Sequence, residues 1–380
     1  MANDKIPSRM MIPNFKLERY FAVREFETPY MLSGSDCETL TVGELLELED
    51  LALEKFQQLG LAYTETKGST ALRHEIAQTY EKIEPDEILV HAGGEEAIFT
   101  LYHSLLNRGD HVVVHRPSYQ SLHEIPRSLG CEVTRWNANP ENGWKLDLDF
   151  LDDVLHPQTK LVVVNSPHNP TGMHFSQTEW RELIEIIERN DTMLLADEAY
   201  RGLEYREKDR LPAACDLSEH AVSLGLVSKG YGLPGLRLGW LASKNKKLLD
   251  RIEAFKDYTT ICTAAPSEFL SEVAVRNRET LLKRGREIVT GNLPSLQSFF
   301  ERHRDFFSWT APKAGSVCYP TLQKDDVDSF CERLMRVAEV ILLPGTVFEE
   351  ASRECRFGFG RTNFPESLER LENFLKKESS

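Results

Sequence analysis

Lys229 follows a serine at the end of the apolar run "SLGLV", stands among Gly230, Gly232 and Gly235, and has Arg237 downstream. A lysine so placed is either an ordinary charge on a turn or an amine held inside a site. In the second case the glycines let backbone come close, and the arginine is a fixed cation for an anionic group. Other chemistry-bearing residues also follow short apolar runs. "EILVH" leads to "AGGEEAI", where Gly93, Gly94 and Glu95 open a helical pattern. Backbone N–H groups there suit a phosphate, although a Gly-Gly pair alone is only a turn. "HVVVH" leads to Tyr119 in "RPSYQS", an aromatic plate for a planar ligand or a core side chain. "KLVVV" leads to "NSPHNPTG", whose Asn165 and Asn169 sit in turn chemistry. "TMLLA" leads to "DEAY", with Asp197 at the end of the run and Tyr200 after it. An acid there must find a cation or a donor, as a helix cap, a buried ion pair or part of a site.

The elements that carry these residues alternate. β-rich runs fall at 87–91, 111–115, 160–164, 192–197, 221–227 and 236–242, with helical patterns at 95–106, 119–128 and 176–189 between several of them. The last opens on Ser176 with Glu179 three residues on, a capping box. Earlier helical patterns cover 44–59 and 69–80. Unbroken apolar strands alternating with helices predict an α/β large domain, a mostly parallel mixed sheet between helices. Ligands of such sheets sit beyond the carboxyl ends of the strands. From about 245 the pattern turns helical. At 307–360 it changes to short strand-like pieces with helices near 326–338 and 365–376. That predicts a smaller α+β domain completed by the N-terminal arm, with 41–265 as the large domain and 1–40 with 266–380 as the small one.

No single strand end decides the chemistry, but together they supply a phosphate cradle, an aromatic plate, an amide, a carboxylate and a lysine on one rim. That set matches pyridoxal phosphate (PLP): a phosphate, a flat ring, a phenolic oxygen, a ring nitrogen that works best protonated, and an aldehyde that condenses with an amine. The chain has no GxxxxGK[ST], and the Gly93-Gly94 turn is not a GxGxxG loop, so that turn does not point to a nucleotide instead.

On "NSPHNPTG", "DEAY" and "SKGYGLPGLRLGW", in this order, the chain resembles the class I/II aminotransferases, fold-type I PLP-dependent enzymes. The resemblance covers nearly the whole sequence. It implies Lys229 as the Schiff-base lysine, Arg237 and Ser228 on the cofactor phosphate with Gly93, Gly94 and Glu95, and Asp197 on the pyridinium nitrogen. Tyr200 and Asn169 would bond the phenolate oxygen, and Tyr119 would stack on the ring. "LAYTETKGSTALR" is similar to a family segment whose tyrosine, here Tyr63, reaches the neighbouring subunit's phosphate, which implies a homodimer with shared active sites. "CRFGFGR" is similar to the strand whose arginine clamps the substrate carboxylate. Arg356 takes that role, with Arg361, otherwise a solvated charge after the strand, as the alternative. Asn169 would also touch substrate. The side-chain pocket is expected from residues 15–38, "LSGSDCETL" among them, from the partner subunit and from around Tyr258 and Ser316, while His168 reads as structural. Two positions depart from the pattern. Leu226 stands where a phosphate-binding Ser or Thr is usual, and Glu95 replaces an uncharged polar residue, so its carboxylate must turn away or weaken phosphate binding. The implied activity is transfer of an amino group between an L-amino acid and a 2-oxo acid. β-Lyase, cyclase, decarboxylase and oxidase chemistries of the same fold are alternatives, and a non-catalytic PLP-binding regulator a more distant one.

Composition bounds the rest. The 380 residues are 41% hydrophobic and carry a formal charge of −15, which argues against a broad basic face for nucleic acid or anionic membrane. The seven cysteines are odd in number and lack CxxC pairs, which argues against a disulfide framework or zinc cluster, and no metal ligand set is expected. Neither a secretory signal nor an apolar run long enough for a bilayer is visible. The expectation is a soluble cytoplasmic enzyme.

Overall fold

A computed structural model describes residues 12–349 and 351–378. Seven strands form the main sheet: β1 (Ile88–His91), β2 (His111–Arg116), β3 (Glu132–Asn137), β4 (Thr159–Asn165), β5 (Met193–Asp197), β6 (Ala221–Leu226) and β7 (Gly239–Ala242). Their spatial order is β1-β7-β6-β5-β4-β2-β3. Only β7 runs antiparallel to its neighbours; the other pairings are parallel. The carboxyl ends of β1 to β6 therefore share one rim, where β7 also begins.

The apolar strands follow from two covered faces. Val112, Val114, Leu161, Val163 and Leu195 pack with Ala97, Ile98 and Leu101 of helix Gly94–Leu105. The alternate residues Val113, Val162, Val164, Leu194 and Ala196 pack with Trp180, Leu183 and Ile187 of helix Gln177–Arg189. Successive strand residues point to opposite faces, so a sheet between two helical layers needs an apolar residue at every position. Each fully buried Val or Leu contributes about 1.5–3 kcal/mol. The capping box at Ser176 and Glu179 is present, with both reciprocal bonds made.

Three local expectations change. β3 escaped the apolar pattern because it is an edge strand in which only Trp136 is buried. The 44–59 pattern divides into helices Val42–Leu46 and Ala52–Gln57, separated by a turn with Leu51 at φ 62°. The last sheet strand starts at Gly239 rather than 236, because Pro234–Leu236 is a 3-10 turn.

Helix Ala265–Arg276 places Leu270, Val273 and Ala274 against Leu72, Ile76 and Ile88, and the 25-residue helix Arg278–Arg302 follows it. The remainder is built from short strands. Val317–Cys318, Cys355–Gly358 and Leu343–Pro344 form an antiparallel sheet, and Phe307–Ser308 pairs with Thr321–Leu322. Tyr30–Met31 lies parallel to Val340–Ile341, which ties the N-terminal arm to this part. A cluster including Phe299, Phe307, Phe330 and Phe357 is its core. Among the described residues no helix is long and apolar enough to cross a membrane.

Candidate active site

The rim carries a cleft of about 670 Å³, bounded by strand ends on one side and the N-terminal arm on the other. Register sets the strand ends level: Asn165 of β4 lies opposite Asp197 of β5, and Asp197 opposite Leu224 of β6. Asn165 Nδ2 donates to the Asp197 carbonyl (2.9 Å), while its Oδ1 accepts the Asn169 N–H (2.6 Å), which orients the following turn. His168 pins that turn, with Nδ1 2.7 Å from the Thr171 hydroxyl and Nε2 2.9 Å from the Pro117 carbonyl. Burial holds its pKa down at about 3, so it is a neutral strut.

Lys229 follows β6, and its Nζ donates to Ser35 Oγ at 2.8 Å. Asp197 is buried, which raises its carboxyl to about 6 against the opposing effects of the Ala199 N–H and Lys229. Tyr200 lines the same cleft, and its buried hydroxyl has no partner. Ser228 is buried in the lining. Tyr119 lines the opposite wall, where its ring meets Phe15 (centroids 4.9 Å) and its hydroxyl donates to Glu18 Oε1 (2.8 Å).

Gly93 and Arg237 meet where β1 and β7 begin and end together, His91 opposite Gly239. A Cβ on Gly93, at φ 90°, would lie 2.7 Å from Arg237 Nη2, so glycine is what lets the guanidinium lie over this turn. Arg237 itself has φ 49°, a left-handed conformation that costs a non-glycine residue about 1–3 kcal/mol. Helix Gly94–Leu105 starts beside it, leaving the first-turn N–H groups without intrahelical acceptors. The two unusual positions find their explanation here. Glu95 turns aside to accept from Ser121 Oγ (3.0 Å), and burial raises its carboxyl to about 7. Leu226 Cδ2 fills the space a Cβ on Gly94 would need, 2.9 Å away.

Arg356, on strand Cys355–Gly358, is buried and donates from Nη1 to Asn169 Oδ1 (3.0 Å) and from Nη2 to the Ser33 carbonyl (2.7 Å). Among the described residues its Nε has no partner. Arg361 also faces the cleft but is bound to Asp36 (2.7 Å), with Glu38 at 3.8 Å, so it is a paired cation and not a solvated one. Tyr63 does not line this cleft and is 89% exposed; Tyr258, at 90%, is likewise outside it. Ser316 stays outside as well and donates to the Ser35 carbonyl (2.7 Å).

The N-terminal strap, expected only to line the side-chain pocket, also makes contacts that sequence reasoning gave to none of its residues. Gly358 donates to the Leu32 carbonyl, Glu38 to that of Gly360, and Cys37 to that of Lys229. Ser35 thus touches both Lys229 and Ser316. Its only sequence signal is a run of small polar residues, because every partner is distant in the chain.

A second hollow of about 750 Å³ beneath β2 and β3 holds none of the strand-end groups assigned above except Arg116 and Pro117, and Arg116 and Arg135 there both pair with Glu349. The rim cleft is the better candidate. Its unpartnered tyrosine hydroxyl, its buried guanidinium N–H, the arginine over a glycine turn and the buried carboxyl suit an anionic, planar ligand with a protonatable nitrogen and a second ligand carrying a carboxylate.

Comparison with known proteins agrees with this donor set. The family model described as "Aminotransferase class I and II" matches residues 36–377. Capreomycidine synthase from Streptomyces vinaceus is 30% identical over 361 residues, 92% of this chain and 90% of that protein. The structure of a PLP-dependent aminotransferase from Streptococcus suis superposes with a TM-score of 0.91 at 31% identity, covering 97% of this chain and 99% of its own. The PLP-dependent cyclase OrfR superposes with a TM-score of 0.90 at 29% identity, covering 98% and 100%.

Proposed function

The chain belongs to the aminotransferase class I and II family, PLP-dependent enzymes of fold type I, and we propose that it transfers an amino group between an L-amino acid and a 2-oxo acid. PLP is the cofactor and supplies, when bound, an electron sink for the bond lost at the substrate Cα. The observation that carries the reading is the joint presence on one rim of Lys229, Asp197, unpartnered Tyr200 and Arg356.

Lys229 would be the amine that holds the cofactor aldehyde, and its Nζ would move the proton released at the substrate Cα. Asp197 holds a proton on the pyridine nitrogen; a cation there favours its ionised form, which burial alone disfavours. Tyr200 Oη and the Asn169 amide N–H, free because Arg356 takes Oδ1, orient the phenolic oxygen. Arg237, Ser228 and the N–H groups of Gly94 and Glu95 bind phosphate across the Gly93 turn. Tyr119 covers the ring face, and Arg356 takes the substrate carboxylate.

Tyr63 acts in a second subunit's site. Leu61 and Tyr63 are exposed beside Tyr258 and Ile261, and the two segments are joined by the bond from Thr64 Oγ1 to the Thr263 carbonyl (2.8 Å). An exposed apolar patch of this kind suits a second copy of the chain. The assembly is a homodimer working in the cytoplasm, and sedimentation as a monomer at micromolar concentration would overturn that part.

A second reading is cyclisation of an amino acid, favoured by the names of the relative from Streptomyces vinaceus and of OrfR. One experiment separates the two. PLP-loaded protein is given amino acids, then 2-oxo acids, with products identified by mass. An oxo acid from the first addition and a new amino acid from the second support transfer. A dehydrated or ring-closed product without an oxo acid supports cyclisation. Failure to retain PLP overturns both.

A further inference from the structure

Resting on the reading of the cleft as a PLP and amino-acid site, the distribution of charge within it names a substrate class. Four cations line the cleft: Lys229, Arg237, Arg356 and Arg361. The first two serve the cofactor, and Arg356 Nε, buried and unpartnered, is placed for the substrate carboxylate. Arg361 is held by Asp36 at 2.7 Å. Among the described residues no cleft cation therefore remains for an acidic side chain.

The carboxylates do not balance in the same way. Asp197 faces the cofactor nitrogen, Asp36 is paired, and Glu95 is turned toward Ser121 and raised toward neutrality. Glu18 and Glu25 are left, both on the arm segment that forms the outer wall. Among the described residues Glu18 takes one hydrogen bond, from Tyr119, and no cation. Among the described residues Glu25 has no side-chain partner. The two acids and Asp36 lie close enough that Asp36 and Glu18, after burial, raise the Glu25 carboxyl. Arg361 and Lys229 offset this only in part, being bound to Asp36 and Ser35, so a cation joining Glu25 and Glu18 relieves the remaining repulsion. An amino acid with its carboxylate on Arg356 and its Cα beside Lys229 extends its side chain toward this wall, where Leu17 and Phe21 offer apolar surface for a methylene stem.

We propose that the substrate is an α-amino acid whose side chain ends in a cation, an ammonium or a guanidinium, held by Glu25 and Glu18.

The test is calorimetric binding to the PLP-loaded full-length protein of L-arginine, L-lysine, L-citrulline (the uncharged counterpart of arginine), L-norleucine and L-glutamate. At least one of the two cationic amino acids should bind about ten-fold or more tighter than its neutral counterpart, as expected for a charge-assisted hydrogen bond, and L-glutamate should bind weakest. Tighter arginine assigns a guanidinium, tighter lysine an ammonium. E25Q and E18Q should each narrow the cation-over-neutral ratio. Equal binding of the cationic and neutral members, preference for L-glutamate, or variants that leave the ratio unchanged would overturn the substrate class while leaving the PLP reading intact. A protein that takes up PLP but binds none of the five overturns the class as well. Failure to take up PLP at all removes the site itself.

Discussion

Arg356 Nη1 donates to Asn169 Oδ1 at 3.0 Å, and this bond joins the C-terminal strand Cys355–Gly358 to the turn after β4. It fixes two groups at once. The guanidinium is oriented with Nε open, and the Asn169 amide is turned so that its N–H side faces away from Arg356. Lysine cannot make both contacts, since its single ammonium lacks the planar fork. Arg356→Lys should raise the amino-acid KM by about ten- to a hundred-fold, as for loss of a charged hydrogen bond, while PLP stays bound. Steady-state kinetics with a dialysis control measures both; an unchanged KM would move the carboxylate site elsewhere.

Lys229 Nζ, 2.8 Å from Ser35 Oγ, is the only lysine amine lining the cleft among the described residues. Lys229→Ala should slow single-turnover conversion of an amino acid by about 10²–10⁴-fold, the range for a lost general base. It should also let PLP dissociate on dialysis. A wild-type single-turnover rate would remove Lys229 from the mechanism.

Glu95 gives a pH signature. Burial raises its carboxyl from 4.5 to about 7, so between those values the folded chain keeps a proton the unfolded chain has lost. The native state binds more protons there, and stability falls as pH rises through the window. Glu95→Gln keeps an acceptor for Ser121 and removes the ionisation. The variant apoprotein should match the parent in Tm near pH 4.5 and exceed it by roughly a few degrees above pH 7. PLP affinity at pH 8 should rise, because a carboxylate beside the phosphate is gone. A constant Tm difference across pH would show that Glu95 titrates normally.

Gly93→Ala tests the phosphate turn. The new Cβ would meet Arg237 Nη2 at 2.7 Å, and alanine is strained at φ 90°. Displacing the guanidinium should weaken PLP binding by about ten-fold or more, read by fluorescence titration. Gly109→Ala is the control: it carries the same sign of φ, 88°, with nothing within 4 Å of the added atom. Equal effects from both variants would make backbone strain, and not Arg237, the cause.

Most of the sheet and its rim were legible because β1, β2, β4, β5 and β6 are buried almost throughout and end on, or lead within two residues to, a polar residue. Asp197 and Lys229 stand out against "TMLLA" and "SLGLV" for that reason. β3 was not legible, since an edge strand with one buried residue, Trp136, carries no apolar run. The break at Leu51 was hidden because leucine fits a helix pattern as well as it fits this turn. Ser33, Ser35 and Asp36 lie in the segment expected to line the pocket, but nothing local marks their individual contacts. They acquire meaning only from Arg356, Lys229, Ser316 and Arg361, 194 to 325 positions away. Likewise, that Arg361 is paired with Asp36 while Arg356 bonds Asn169 and Ser33 is read only from what each side chain touches.

The strap from Leu32 to Glu38 also orders events at the ribosome. It is translated early, yet its acceptors and donors at Ser316, Arg356, Gly358 and Gly360 are among the later residues to emerge. A nascent chain extended as far as Ala242 already owns every strand of the main sheet, with Asp197, Lys229 and Arg237 on its rim. It has Lys229, to which Ser35 and Cys37 bond, but neither Arg356 nor the contacts of Ser316, Gly358 and Gly360 that hold the rest of the strap. The half of the cleft that carries Asp197, Lys229 and Arg237 is thus complete in sequence more than a hundred codons before the half that carries Arg356.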